Sequence, residues 1–158
     1  MLTTDEIIEM SPHMICHLIS LHSFHDIFIN YYIKQTEIKK NQYYMLMYLY
    51  YYRENTQSDI AQACLMDRSG VSRAFGELEE KGILTRKYSE DNKRSYKIDL
   101  TEKGRDIAKF LKEKELEWED MICSELGLSR EESLKIMKKL AVKSLEFDRE
   151  KLKTNFKY

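Results

Sequence analysis

The sequence predicts a mainly α-helical protein with one small β-hairpin, an α+β class in which helices dominate. Most of the chain carries apolar residues at helical spacing, and only residues 83–100 change to the period-2 pattern of strands around a polar turn. One Pro and five Gly among 158 residues are too few turn formers for a many-stranded sandwich or barrel. This length predicts about one domain, taken as residues 1–158.

Two helices are predicted before residue 54. Thr4 and Asp5 cap a short opening turn, and Ser11 with Pro12 then forms a typical N-cap and N1 pair. The long helix that starts there runs to about residue 34 and is apolar on more than one face, so we expect burial on several sides. A tyrosine-rich helix follows over about residues 39–53.

The next segment predicts a helix-turn-helix. Thr56 and Asp59 have the spacing of a capping box and begin a short helix. The helix after Asp67 carries Val71, Phe75 and Leu78 on one face. It ends before Gly82, which suits a left-handed C′ position. Two helices joined by a few residues, the second ending in Gly, are typical of this motif.

A hairpin and two further helices complete the prediction. In the second strand Tyr96, Ile98 and Leu100 alternate with polar residues, which indicates a half-buried strand. Thr101 caps a long amphipathic helix to about residue 126. After Gly127, a capping box at residues 129–132 begins the last helix.

A helix-turn-helix followed by a hairpin is the order of a winged helix, whose second helix enters the DNA major groove while the hairpin contacts the flanking backbone or minor groove. The candidate DNA contacts are polar or cationic residues on the second helix, the supporting helix and the wing. They are Arg68, Ser69, Gly70, Ser72 and Arg73 on the second helix; Thr56, Gln57 and Ser58 on the supporting helix; and Arg86, Lys87, Asn92, Lys93, Arg94 and Ser95 on the wing.

The charge distribution favours this interface weakly. The net charge of −1 indicates no polyanionic partner for the whole chain. Residues 67–97 carry 8 basic and 6 acidic groups, against 4 and 7 in residues 1–66 and 14 and 14 in residues 98–158. A solvated surface explains a surplus of two equally well, and a dimer would double that surplus.

Several spaced segments resemble the MarR family of bacterial transcription regulators over residues 36–104, and Gln42 also fits the family pattern. This resemblance implies an obligate homodimer with a DNA-binding lobe at residues 36–100 and dimerisation helices at residues 5–34 and 101–155. It also implies that Arg94 is the wing-tip arginine of the minor groove. The family often has Asp where this chain has Asn92. The matching segments are residues 58–61 (SDIA), 67–73 (DRSGVSR), 78–86 (LEEKGILTR), 91–94 (DNKR) and 100–104 (LTEKG).

The apolar residues of the flanking helices also predict dimerisation. The helix at residues 14–33 and the two C-terminal helices carry more apolar surface than a lobe of about 90 residues covers, and a symmetric pair would bury it. Two recognition helices would then lie about 34 Å apart, which predicts an inverted-repeat operator.

The resemblance further implies that a small molecule, often phenolic or anionic, releases the DNA. An aromatic pocket is one interpretation of the tyrosines, and plain core is the other. Cys16 in the first long helix allows a thiol-based oxidant sensor as an alternative, or a small buried hydrophobe. The candidate pocket residues are His17, Tyr31, Tyr32, Tyr44, Met45 and Tyr48.

Metal binding, catalysis and membrane insertion are weaker interpretations. His13, Cys16 and His17 share a helix face and His22 and His25 follow, but no third ligand is visible in the sequence, so no metal or cofactor is assigned. No phosphate loop or nucleophile motif indicates an enzyme. A protein-binding winged helix is the remaining alternative, and the basic residues on both helix and wing argue against it.

The location predicted from the sequence is cytoplasmic. The apolar stretch at residues 14–33 contains three histidines, an Asp and an Asn, which argues against a membrane span. The first ten residues carry acids where a signal peptide needs positive charge. Three widely spaced cysteines without a CxxC motif suit a reducing compartment.

Overall fold

The computed structural model describes residues 3–52, 56–64, 66–88 and 96–144. The predicted class is confirmed, since helices dominate and the strands form one antiparallel hairpin in the described part of the chain. The chain forms two compact units, Met1–Glu115 and Leu116–Tyr158. The elements are α1 (Thr4–Glu9), α2 (Met14–Ile33), α3 (Lys40–Tyr51), α4 (Gln57–Ala63), α5 (Arg68–Glu80), β1 (Leu84–Tyr88), β2 (Tyr96–Leu100), α6 (Glu102–Leu126) and α7 (Arg130–Ser144).

The first two helices begin at residues other than those predicted. Thr3, rather than Thr4 with Asp5, caps α1, because its hydroxyl accepts from the Glu6 amide and the Glu6 carboxylate accepts from the Thr3 amide. The predicted Ser11 cap is also wrong. Its hydroxyl donates to the Ile7 carbonyl at 2.8 Å, so it closes α1 and leaves α2 to begin at Met14.

A single hydrophobic cluster holds the first unit together. It joins the C-terminal end of α2 to α3, α4, α5, the hairpin and the first half of α6. The expected burial of α2 on several sides is not met within the chain, since only its C-terminal residues Ile29 and Ile33 are buried. Its exposed apolar side chains are Met14, Ile15, Leu18, Ile19, Phe24, Ile27 and Tyr31.

The junction between α5 and α6 is tight. The Thr101 hydroxyl accepts from the Gly104 amide at 3.1 Å, which confirms the predicted cap, and it donates to the Gly82 carbonyl at 2.6 Å. Gly82 has φ +65°, the left-handed conformation predicted for it. A Cβ built on Gly104 would lie 2.1 Å from the Ile83 carbonyl oxygen, so the close approach requires glycine there.

The second unit contains the end of α6 and the whole of α7. Gly127 has φ +62° between them, and the Ser129–Glu132 capping box is present, as predicted. None of the described residues of α7 is buried, and Ile136, Met137 and Val142 are exposed. Across the described ranges, no helix combines the length and apolar character needed to cross a membrane.

Candidate nucleic-acid interface

Helix α5 has one apolar and one polar face. Val71, Phe75 and Leu78 are fully buried in the core, as their spacing predicted. Ala74 is buried with them, whereas the polar side chains near the start of the helix are exposed and form a hydroxyl-rich and cationic surface. The exposed residues are Arg68, Ser69, Ser72 and Arg73, and Gly70 is half-buried beside them.

The N-terminus of α5 is fixed by its cap. The Asp67 carboxylate accepts from the Ser69 hydroxyl at 2.5 Å and from the Gly70 amide at 2.8 Å. These two bonds, the hydroxyl first, hold the pKa of Asp67 below its ordinary value. A Cβ on Gly70 would make only ordinary contact, 3.4 Å from a carboxylate oxygen of Asp67. Packing inside the chain therefore does not require glycine at residue 70.

Helix α4 supports the same surface. Thr56 and Asp59 form the predicted capping box, and the Thr56 hydroxyl is the main cause that lowers the pKa of Asp59. The Gln57 side chain donates to the Arg68 carbonyl at 3.1 Å, and the Arg68 guanidinium donates to the Ser58 hydroxyl at 3.4 Å. The structure thus brings Gln57 and Ser58, two of the three predicted supporting residues, against the start of α5.

Hydrogen bonds that no sequence pattern predicted connect α3 to the middle of α5. The Gln42 side chain is fully buried and donates to Glu77 at 2.7 Å, while its carbonyl oxygen accepts from the Lys39 amide at 2.9 Å. Lys39 also donates to Glu77 at 2.8 Å, and this bond is the main cause that lowers the pKa of Glu77. The sequence gives one indication of this contact, since Gln42 is a polar residue among the apolar residues of α3.

The wing begins with an ion pair to α5. Arg86 on β1 donates to the Glu79 carboxylate through Nε at 2.9 Å and through a second guanidinium nitrogen. This pairing lowers the pKa of Glu79 and ties the base of the wing to α5. A DNA contact by Arg86 stays a prediction. The side chain of Lys87 and the whole of Asn92, Lys93, Arg94 and Ser95 lie outside the described residues.

The candidate effector residues occupy different surroundings. Met45 is fully buried in the core, whereas Tyr31 and Tyr44 are 66% and 48% exposed. Tyr32 packs edge-on against Tyr31 with 5.1 Å between ring centroids. Burial of part of its ring raises the pKa of Tyr44. Tyr48 is half-buried, and the pocket stays a prediction.

The candidate redox and metal residues lie near the start of α2. Cys16 is a half-buried free thiol, while His13 and His17 are exposed. The His17 ring nitrogen lies 3.1 Å from the Ser11 carbonyl oxygen. Cys64 is also half-buried, and this burial raises the pKa of its thiol.

The helix pair α4–α5 followed by the β1–β2 hairpin defines a winged helix-turn-helix protein. A sequence profile of the MarR family matches residues 37–95. The organic hydroperoxide resistance transcriptional regulator of Bacillus subtilis is 33% identical over 107 residues, which cover 66% of this chain and 68% of that protein. The HTH-type transcriptional regulator Hpr of Geobacillus thermodenitrificans is 33% identical over 81 residues, 51% of this chain.

Solved structures agree with the sequence relatives. A MarR transcriptional regulator from Methanosarcina mazei superposes with a TM-score of 0.67 at 29% identity, covering 82% of this chain and 96% of that one. The MepR–DNA complex of Staphylococcus aureus gives a TM-score of 0.69 at 25% identity, covering 85% and 99%. The chain belongs to the MarR family of winged helix-turn-helix regulators. The chain spans 40% of the length of the Hpr regulator, so the similarity covers only part of that relative.

Proposed function

We propose that this chain is a transcription regulator that binds double-stranded DNA as a homodimer and represses from an inverted-repeat operator. The observation that carries the proposal is the division of α5 into a buried apolar face and an exposed face of Arg68, Ser69, Ser72 and Arg73. An exposed surface of this composition on the second helix of the motif suits the major groove. The similar MepR chain has been solved in complex with DNA.

The exposed side chains near the start of α5 can form different kinds of contact with DNA. The Arg73 guanidinium suits a bidentate contact to guanine, and the hydroxyls of Ser69 and Ser72 suit phosphates or base edges. Gly70, which packing inside the chain does not require, allows the duplex to approach closely. On α4, we assign the polar side chains of Thr56, Gln57 and Ser58 to the phosphate backbone.

The wing is assigned to the flanking backbone and minor groove. Its proposed contacts are Lys87, Asn92, Lys93, Arg94 and Ser95, of which the family resemblance assigns Arg94 to the minor groove. Because Arg86 is already paired with Glu79, we give Arg86 the task of orienting the wing on α5 rather than the leading contact to DNA.

The dimer proposal rests on apolar side chains that each unit leaves exposed. Ile15, Ile19 and Ile27 on α2 are 58–68% exposed, and Val142 on α7 is 63% exposed. A symmetric pair through residues 5–34 and 101–155 would remove such surfaces from water and leave residues 36–100 as the DNA-binding lobe.

Salt dependence on DNA tests the main proposal. The full chain is titrated by fluorescence anisotropy against a duplex from the region upstream of its own coding sequence and against a scrambled duplex. We expect tighter binding to the first, with log K falling linearly in log salt by about 0.9 for each phosphate neutralised. Equal affinity for both duplexes, or affinity independent of salt, would contradict the proposal.

Release of DNA by a small aromatic or anionic molecule is the second part of the proposal. The phenol rings of Tyr31 and Tyr44 are exposed enough to meet such a ligand. In a thermal-shift screen of phenolic acids, a true ligand raises the unfolding temperature by mass action. Substitution of Tyr44 by Ala should abolish the shift if the predicted pocket of His17, Tyr31, Tyr32, Tyr44, Met45 and Tyr48 is correct.

An oxidant sensor acting through Cys16 is the second candidate. The name of the Bacillus subtilis relative and the partial exposure of Cys16 favour it. We expect peroxide to release DNA from the wild type and from Cys64→Ser, whose thiol is the matched half-buried control, but not from Cys16→Ser. Peroxide release that persists in Cys16→Ser excludes this candidate.

A further inference from the structure

We propose that His22, His25 and Asp26 on α2 form a binding site for a divalent transition-metal ion of the zinc type. Each of the three residues offers one ligand atom, and these atoms lie within 4.8 Å of one another. None of the three residues is among those assigned to DNA, and the assignment of the site does not depend on the proposed regulatory function.

The spacing and the donor types suit zinc. Residues at i, i+3 and i+4 share one side of a helix, so the three side chains project together. Two imidazoles and one carboxylate are donors that zinc prefers, and a set of three protein ligands leaves a fourth position for water. Asp26 supplies the carboxylate that the histidine spacing alone does not reveal.

Glu115 on α6 orients His25 from behind. The His25 Nε2 atom lies 2.9 Å from both carboxylate oxygens of Glu115, and the Tyr43 hydroxyl donates to the same carboxylate. Because an ionised carboxylate only accepts hydrogen bonds, we assign the proton of the metal-binding imidazole to Nε2, which leaves the lone pair of Nδ1 for the ion. Histidine ligands are commonly held in this way by a carboxylate outside the coordination sphere.

This orientation is supported by burial. The side chains of His25 and Glu115 are 13% and 19% exposed, and Tyr43 is buried. Three helices, α2, α3 and α6, therefore fix the imidazole before any ion arrives. Within one protomer His22 is 63% exposed, which makes it the most accessible of the three ligands.

Lys40 on α3 would compete with a metal ion for the Asp26 carboxylate. Its ammonium group lies 2.7 Å from the Asp26 carboxylate, which therefore already balances a positive charge. A divalent ion bound to Asp26 would take over that role and displace the half-exposed lysine side chain. Removal of the ammonium group is thus expected to tighten metal binding, an effect opposite to that of removing a ligand.

Direct metal titration tests the site. Zn²⁺ is titrated calorimetrically into the full chain without DNA, and Co²⁺ is followed by its visible absorption. We expect one ion per chain, at least tenfold weaker binding in His22→Ala and Asp26→Asn, and tighter binding in Lys40→Met. Glu115→Gln should weaken binding by about 10- to 100-fold.

His17→Ala is the matched control, because His17 is another exposed histidine of α2 that lies outside the cluster. It should keep wild-type affinity. The site is refuted if the wild type binds no ion, if His22→Ala binds as tightly as the wild type, or if His17→Ala loses binding. His22 and Asp26 are not core residues, so circular dichroism should show folded variants. A failure here leaves the DNA-binding proposal untouched, since the assay contains no DNA.

Discussion

Two glycines on neighbouring helices meet opposite steric conditions. A Cβ on Gly104 would lie 2.1 Å from the Ile83 carbonyl oxygen, whereas a Cβ on Gly76 in α5 would meet nothing within 4 Å. Gly104→Ala must push α6 away from the end of α5, and we expect a loss of about 1–3 kcal/mol in the free energy of unfolding. Gly76→Ala should instead add about 0.5–1 kcal/mol through helix propensity.

Urea unfolding at one fixed protomer concentration distinguishes the two glycine variants. Gly76→Ala serves as the matched control, because both substitutions add the same methyl group to a helical residue. Equal stabilities for the two variants would show that the close approach at Ile83 does not constrain the fold.

Arg73 is the residue on which the proposed recognition surface depends most. It is exposed beside Ser72, on the face of α5 opposite the core. We expect Arg73→Ala to weaken specific DNA binding by about 1–3 kcal/mol per site. Lys109→Ala removes the same charge from an exposed position on α6 and should change the affinity little. A gel-shift series in which both variants bind like the wild type would remove Arg73 from the interface.

The Asp67 cap of α5 should make the free energy of unfolding depend on pH. The Ser69 hydroxyl is the leading cause that keeps the pKa of Asp67 below its ordinary value of 3.8. A carboxyl whose pKa falls on folding stabilises the folded state fully above its unfolded value, and that contribution is lost as pH falls through the folded value. Ser69→Ala should therefore be less stable than the wild type at pH 6, and the difference in the free energy of unfolding should narrow as the pH falls below 3.8.

Ser72→Ala is the control for the cap, because Ser72 is an exposed serine of the same helix. Denaturant unfolding at several pH values, without DNA, measures both variants. A gap between wild type and Ser69→Ala that stays constant from pH 6 to pH 3 would contradict the role given to the Asp67 carboxylate.

At the scale of elements, local chemistry explains which parts of the fold the sequence revealed. The Thr56–Asp59 box, the Gly82 terminus and the alternation of Ile98 and Leu100 act within a few residues, and all were found as predicted. The start of α2 was mispredicted because the Ser11 hydroxyl bonds backwards to α1. Competition between two neighbouring helices for one hydroxyl is not visible in either helix alone.

Contacts between distant residues were not predictable in the same way. Gln42 was recognised only as a match to the family pattern, yet it is 35 residues away from Glu77, with which it bonds. Arg86 was predicted to contact DNA from the wing, and its ion pair with Glu79 could not be predicted from the sequence. Likewise, His25 lies 90 residues from Glu115, and no spacing rule joins them. Long-range polar pairs depend on packing, which the sequence pattern does not give.

At the scale of the whole molecule, the proposed dimer explains apolar surface that the chain does not cover. On α7, Ile136, Met137 and Leu140 are 41–48% exposed. Burying a fully exposed leucine contributes about 1.5–3 kcal/mol. Because Leu140 is 41% exposed within one chain, covering the rest of it contributes about 0.6–1.2 kcal/mol per copy, and a twofold interface contains it twice. Leu140→Glu should therefore weaken the dimer by at least about 1–2.5 kcal/mol, since a buried unpaired carboxylate adds its own desolvation cost.

Sedimentation equilibrium of Leu140→Glu measures this loss directly, and the same protein should lose cooperative binding to a two-half-site duplex, because both recognition helices are needed to span it. Asn41→Glu adds the same charge at an exposed polar position of α3 and should stay dimeric. If Leu140→Glu sediments as a dimer with wild-type affinity, the apolar face of α7 lies outside the interface. The exposed isoleucines of α2 would then have to carry the pairing alone, which an Ile19→Glu variant would test in the same experiment.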